Sequence, residues 1–539
     1  MVWTLVGDSP TPNRVFTRPL DNNEVGFFYD GTFNGVADMV EHYMVQTTQN
    51  SLFEFTNVAR TWIALKRIFP LLGAVTRETD YEATSASFTI VEANLGVTRP
   101  GEIDLLTANS EVEVHNFVEQ LISGPRQLSS DLLSRVYIFS REDNPGSYHV
   151  AIHIAHLITD GMSALTLVRT FFDILSLPPT IHIPDLEARL ALCVGSENLN
   201  PHSNLPLARR RWRRAIGWVI HHIRDPKIQG GMSIPRKITT YTPYRVPRPK
   251  RLTTAFTEEE STLVIANCRK HGITFGAALP ILGQLGSSRL LHRRYIRGGI
   301  EKNEWEWRRI QPCNTRGPLD YRRHLNKDWY ADGGSEVVAL GISYLFITHP
   351  FMPSVSDEWI AHNRHALEDG SPPFPALLSQ GRFVLRSNTI KHQFKKLLTH
   401  PLLFEIASAR LPTGQPLRKQ AGRFWRKIHQ GGELDEPEEH VPSVLTDNII
   451  YHNGGSSMGN YYPQTKADED FAAEPTIRVI DSWEKLCARP TELYLGSITQ
   501  DKKLSIFVSW DGNTYEDSVV EEWLEEVKLA THHYLCQPL

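Results

Sequence analysis

The chain has 539 residues, too many for one hydrophobic core, so two large lobes are expected. Its 41% hydrophobic and 22% charged residues are those of an ordinary globular protein. The formal charge of −4 excludes an overall pull toward nucleic acid or anionic membrane.

Basic runs stand at Arg209-Arg210-Arg211 and Arg322-Arg323; each reads first as a solvated face and second as a docking point for a phosphorylated ligand. The five cysteines, Cys193, Cys268, Cys313, Cys487 and Cys536, are scattered, without a CxxC pair or a Cys/His cluster. That points away from disulfides or structural zinc and toward a reducing compartment. The segment from Met1 to Pro10 lacks a basic stretch followed by a long apolar one, and no 18 apolar residues run uninterrupted. A soluble, cytoplasmic, monomeric protein without a membrane span is the expectation.

In chain order, Thr61 to Ala74 sets Trp62, Leu65 and Ile68 at helical spacing; Pro70 stops the helix, and Leu71 and Leu72 lead into an extended stretch. Residues 147–155 (SYHVAIHIA) alternate Val150, Ile152 and Ile154 on one face. Ala151 and Ala155 make the other face small rather than solvated, which predicts an interior strand. A helix rich in Leu and Phe follows over Ser163 to Ser176. Residues 177–250 carry many prolines and few long periodic segments and read as a crossover between lobes. Thr257-Glu258-Glu259-Glu260 opens a helix, and Gly272-Ile273-Thr274 separates it from an apolar helix over 275–286. Residues 431–440 and 465–475 read as acidic surface loops. Leu504 to Trp510 alternates as a strand, Asp511-Gly512-Asn513 turns the chain, and Ser518-x-x-Glu521 caps a last helix with Val519, Trp523 and Val527 on one face.

His156-Leu-Ile-Thr-Asp160-Gly161 is the segment that carries chemistry. His-x-x-x-Asp alone says little: about one is expected by chance among so many histidines. His221/Asp225, His324/Asp328 and His365/Asp369 share the spacing, the last in a polar helix stopped by Gly370. Only His156 ends an interior strand and precedes a helix, where rigid backbone can aim a side chain into a cleft. The positive end of that helix should keep its imidazole neutral near pH 7. Such a base can take a proton from an alcohol or amine, a contribution of about 10²–10⁴ in rate. Asp160 suits a positioning role that fixes the turn by accepting hydrogen bonds, and Gly161 lets the chain pass closely. A satisfied structural histidine is the competing reading of His156. His149 and His153, on the opposite face, are read as structural.

The ordered set of segments resembles the superfamily of CoA-dependent acyltransferases that includes plant BAHD enzymes, fungal trichothecene acetyltransferases and condensation domains of peptide synthetases. The set comprises Phe69-Pro70-Leu71-Leu72, the His156–Gly161 motif, His271-Gly272-Ile273-Thr274, Asn314-Thr315-Arg316, Ser456-Ser457-Met458-Gly459 and Trp510-Asp511-Gly512-Asn513. The resemblance implies an α/β fold of two chloramphenicol-acetyltransferase-like lobes, mixed sheets flanked by helices, with a tunnel at their interface. The lobes would be residues 1–185 and 251–539, with 186–250 as the crossover. It implies an O-acyltransferase that binds no resident cofactor or metal, takes acyl-CoA, in the first place acetyl-CoA, as co-substrate, and transfers directly to a hydroxyl with His156 as general base. It also implies Arg316 as the salt-bridge partner of Asp160, and Ser456 and Ser457 beside the tunnel as donors to the oxyanion. The plant DFGWG signature is missing and Ala155 replaces the second histidine of condensation domains. The pattern therefore leans toward fungal enzymes of secondary metabolism, with a terpenoid alcohol as acceptor.

Two other readings stay open at this stage. Gly455-Ser456-Ser457-Met458-Gly459 matches the G-x-S-x-G of serine hydrolases, which needs a strand before the serine and a helix directly after it; Asn460-Tyr461-Tyr462-Pro463 does not read as that helix. A relative that kept the fold but lost acyl transfer, a binding protein or a cyclase, is the second. Phosphate-loop and dinucleotide motifs are absent. The adjacent pairs His221-His222 and His532-His533 point in different directions on a helix and do not chelate a metal together.

Overall fold

The computed structural model describes all residues except 1, 8–10, 12, 81, 83, 177–184, 229–230, 239–241, 430–453, 462–475 and 539. The two acidic segments at 431–440 and 465–475 therefore lie outside the described residues.

The first lobe is built on a five-stranded sheet in the spatial order Arg478–Leu486, Met39–Gln46, Ser147–Ile154, Ser134–Arg141, Ile103–Ala108. Its pairs are antiparallel except the last, which is parallel. The predicted interior strand is the central one. Val150, Ile152 and Ile154 enter the main core with Trp62, Leu165 and Phe171, and Ala151 joins a second cluster with Val114 and Val118 of helix Glu111–Ser123. Burial on both faces explains a strand whose second face carries Ser147, His149, Ala151 and His153, all buried, instead of charged residues. A smaller antiparallel sheet, Thr4–Val6, Val15–Pro19, Ser85–Val91 and Val75–Asp80, packs beside it. Helix Phe55–Ile68 buries Val58, Trp62 and Leu65 and ends where Pro70 removes a donor. The chain then makes a 3-10 turn over Pro70–Gly73 before extending at Val75, one turn later than the sequence suggested.

The second lobe carries a six-stranded mixed sheet in the order Ile342–His349, Cys313–Asp320, Gly454–Asn460, Leu493–Gln500, Lys503–Asp511, Pro249–Ala255. Helix Phe275–Ile296, apolar in its first half, buried almost all round and ten residues longer than predicted, lies on this sheet beside the last helix, Asp517–Leu535. Arg289 reaches from the first to Glu526 of the second at 2.7 Å. The last helix buries Val519, Trp523 and Val527 as expected. Its start differs: the chain enters through Glu516, with no side-chain cap bond, so the Ser518/Glu521 cap is not formed. All five cysteines are free thiols.

Two features differ from the expected organisation. Strand Arg478–Leu486, far along the chain, completes the edge of the first lobe's sheet and brings Glu484 opposite Glu41. Burial, together with the Glu484 charge, pushes the Glu41 carboxyl up to about 8. The crossover contains an 18-residue helix, Leu207–Arg224, that the sequence reading did not separate from its proline-rich surroundings. Six arginines over the rest of its circumference leave only a narrow apolar stripe along that helix.

On the outer face of the first sheet, Arg141 Nη1 lies 3.1 Å from His149 Nε2, and His149 Nδ1 lies 2.9 Å from His42 Nε2. A guanidinium only donates, so His149 carries its proton on Nδ1 and donates it to His42. Burial, then the Arg141 charge, lowers His149 from 6.5 to about 4; burial and the neighbouring histidines lower His42 from 6.5 to about 2. Between pH 6.5 and 4 the unfolded chain takes up protons that this pair refuses, so the pair's stabilising contribution, full above pH 6.5, is lost as the pH falls. Denaturation midpoints should therefore drop steadily over that interval, and the double variant His42→Phe, His149→Phe should show a shallower drop than the parent.

Candidate active site

The central strand ends at Ile154, and Ala155, in extended backbone, passes the chain into a 3-10 turn over His156–Ile158. The imidazole of His156 leaves the apolar wall there, half-buried, with Nδ1 enclosed. Its ring stacks on Phe27 with centroids 4.1 Å apart and planes at 16°. Phe27 sits on helix Asn22–Thr32, which starts at a reciprocal cap between Asp21 and Glu24 and is pinned by Arg18 to Glu24 at 2.6 Å. Arg489 lies against the same phenyl ring, 5.0 Å from its centre, and bonds Asp30 Oδ2 at 3.0 Å. Burial foremost, and then the Arg489 charge, lowers the His156 imidazole from 6.5 to about 4. The imidazole is therefore neutral near pH 7, as the sequence led one to expect, with burial and the Arg489 guanidinium as causes that the sequence did not show.

Asp160 is 1% exposed and its carboxylate is saturated. Oδ1 accepts from the amides of Met162 and Ser163, both at 3.1 Å, which caps helix Gly161–Ser176. Oδ2 accepts from Arg322 Nη2 at 2.7 Å and from the Gly341 amide at 2.6 Å. Burial opposes the charge, yet Arg322 and the amides hold the carboxyl below its ordinary value. The partner expected from the resemblance, Arg316, is thereby corrected. Arg316 sits inside strand Cys313–Asp320, paired with Phe346, and its guanidinium lies 4.9 Å above the Phe346 ring. Arg322 comes after the strand has ended, in a 3-10 turn where the chain is free to reach the other lobe. It also bonds Asp320 at 3.0 Å and the Ala339 carbonyl at 2.7 Å and is 2% exposed, so it is no part of a solvated basic face. A side chain at Gly341 would meet the Arg322 guanidinium at 2.3 Å.

Gly161 holds the second contact between lobes. A Cβ there would stand 3.1 Å from Cε of Met458 on strand Gly454–Asn460. Ser456 lies on the same strand. Ser457, next to Met458 and so on the other face, borders a cavity of about 300 Å³ within the second lobe. The cavity lies between the long apolar helix and the sheet, with Gly276, Leu279, Leu495 and Trp523 among its walls. Pro280 lies inside that helix and lacks an N–H, so the Gly276 carbonyl at the cavity wall loses its usual helical donor. The strand thus turns one residue toward the motif and the next toward the cavity. It runs on past Ser457 to Asn460 with no strand-to-helix turn at the serine, so the nucleophile elbow of a hydrolase is not formed. Residues 444–451, whose partly apolar sequence could supply the strand before that serine, lie outside the described residues.

The other His-x-x-x-Asp pairs are separate from this site. His221 is buried within helix Leu207–Arg224, and His324 and His365 lie in 3-10 turns. The helix before His365 stops at His362, well short of Gly370. His149 and His153 are buried in the sheet, as read. Phe27, Arg322 and Arg489 escaped the sequence reading because each is far along the chain from His156 and none carries a motif. Among the described residues, no group of three or more His, Cys, Asp and Glu is placed to hold a metal ion.

No family model and no curated protein matches the chain by sequence. Solved structures do match it. Trichothecene 15-O-acetyltransferase from Fusarium sporotrichioides superimposes with a TM-score of 0.65 at 11% identity, covering 99% of this chain and 98% of that one. The condensation domain of the monacolin K polyketide synthase gives 0.58 at 10% identity, with 98% of each chain covered. The epimerization domain from the third module of tyrocidine synthetase B gives 0.56 at 11%, covering 96% of this chain and 98% of that one. The fold is therefore the two-lobed α/β fold shared by CoA-dependent acyltransferases and condensation domains.

Removing one member of a buried ion pair leaves the other charge unsatisfied, at a cost of about 3–5 kcal/mol. Arg322→Ala should lower the urea midpoint accordingly, whereas Arg316→Ala, which leaves Asp160 fully bonded, should lower it far less.

Proposed function

We propose that the protein is an acyl-CoA-dependent O-acyltransferase in which His156 is the general base. The carrying observation is the environment of that ring: stacked on Phe27, kept neutral by burial and Arg489, and with Nδ1 enclosed so that Nε2 is the nitrogen left for a substrate. Asp160 and Gly161 position the turn and do not touch substrate.

The acceptor hydroxyl attacks the thioester carbonyl as His156 takes its proton; the C–O bond forms, the C–S bond breaks, and the proton passes to the leaving CoA sulfur. A base lowered to about 4 is a weak proton acceptor by itself. Proton transfer is then favoured only together with attack, when negative charge on the tetrahedral oxygen offsets the new imidazolium in a site of low dielectric. The cavity beside Ser457 has apolar walls and suits the acyl or pantetheine portion of the donor. Acetyl-CoA as donor, a terpenoid or similar secondary-metabolite alcohol as acceptor, and a monomeric cytoplasmic enzyme complete the reading. The acetyltransferase fold neighbour supports it, and the absence of a hydrolase elbow removes one competitor.

His156→Ala should retain the parent's unfolding midpoint and lose about 10²-fold or more in acyl transfer, measured with labelled acetyl-CoA and a panel of polycyclic alcohols. Transfer at the parent's rate would remove His156 from the mechanism, and no transfer by the parent to any alcohol would favour a non-transferring relative. The base works unprotonated, so kcat/KM in short assays should stay level from neutrality downward and fall only as the pH approaches about 4.

A further inference from the structure

The arginine run at 209–211, unused by the chemistry above, belongs to the crossover helix Leu207–Arg224. Which side of that helix faces the protein is settled by its neighbour. Helix Leu403–Arg410 presses on Gly217, where a Cβ would meet Glu405 at 2.7 Å, and Arg213 bonds Glu405 at 2.7 Å. Ile216, Ile220 and the buried His221 share this inner side.

The outer side is not that of a solvated helix. Ala208, Trp212, Ala215, Val219 and Ile223 recur every three or four residues along it, with Leu207 and Trp218 at its margin. Trp212 is 68% exposed, Ile223 58%, Trp218 55%, Leu207 54% and Val219 47%. Leu207–Arg224 also carries six arginines and no acidic residue, in a chain whose formal charge is −4. Lys396 of helix Gln380–Leu398 and Arg224 both act on His400, so the positive surface continues beyond the end of the helix.

We infer that the outer face of helix Leu207–Arg224 docks the protein on an anionic lipid bilayer, lying in the plane of the surface. The chemistry selects this occupant. Arginines flank the apolar ridge at the level where lipid phosphates lie, and the indoles of Trp212 and Trp218 suit the boundary between headgroups and acyl chains. A nucleic acid would use the arginines but leave Val219 and Ile223 in water, and a small phosphorylated ligand needs a concave site that a convex helix face does not provide. Among the described residues, no helix is long and apolar enough to cross a membrane, so the attachment is peripheral.

The test is flotation of the full chain with vesicles of phosphatidylcholine alone and of phosphatidylcholine with about one-third phosphatidylserine. The parent should float with the anionic vesicles and stay behind with the neutral ones. Trp212→Ser with Trp218→Ser, and separately Arg209→Gln with Arg211→Gln and Arg214→Gln, should each weaken partitioning by roughly tenfold or more, with the thermal midpoint unchanged because these side chains are exposed. No flotation of the parent with anionic vesicles overturns the inference. So does flotation unaffected by the tryptophan pair, and so does tighter retention by a short RNA than by the vesicles.

Discussion

Everything at the motif depends on the carboxylate of Asp160. Four donors converge on it, two from the helix that it caps and two, Arg322 and the Gly341 amide, from the other lobe. A charge this deeply buried is tolerable only when all its lone pairs are used, so the same carboxylate that starts helix Gly161–Ser176 also sets the position of the second lobe. Arg322 is held in turn by Asp320 and the Ala339 carbonyl, and it leaves no room for a side chain at Gly341. The turn that carries His156 is fixed between these two commitments.

The ring itself is governed by a different set of residues. Phe27 supplies a flat apolar wall, and Arg489, anchored by Asp30, supplies a positive charge that discourages protonation. Arg489 lies just beyond strand Arg478–Leu486, which leaves the second half of the chain to complete the first lobe's sheet. That exchange of a strand ties the electrostatics of the His156 ring to the assembly of both lobes.

Strand Gly454–Asn460 joins the two halves of the site in another way. Because successive side chains point to opposite faces, Met458 packs on the motif glycine while Ser457 borders the cavity. A shift of one residue in its register would exchange the two roles. The helix Leu207–Arg224 stands apart from this machinery: its inner side is occupied by the helix Leu403–Arg410, and its outer side carries a combination of charge and apolar surface that neither core packing nor catalysis uses.

What the sequence by itself determined was local. The alternation of residues 147–155, the proline after Phe69, the helix opened at Thr257–Glu260 and the break at Gly272–Thr274 each depend on neighbours a few residues away, and the structure forms them where they were read. Tertiary structure decided the partners. Arg316 and Arg322 are alike in composition, and the one that follows a familiar segment stays in its strand, while the one that looked solvated crosses to Asp160, because only beyond the strand's end can the backbone turn toward the other lobe. Phe27 and Arg489 reach His156 from opposite ends of the chain, and the neutrality of the ring comes from burial, a property of the assembled lobes. Hydrogen-bonding range is a few ångströms in space and has no counterpart along the sequence, so a motif singles out the histidine while the folded chain alone selects what surrounds it.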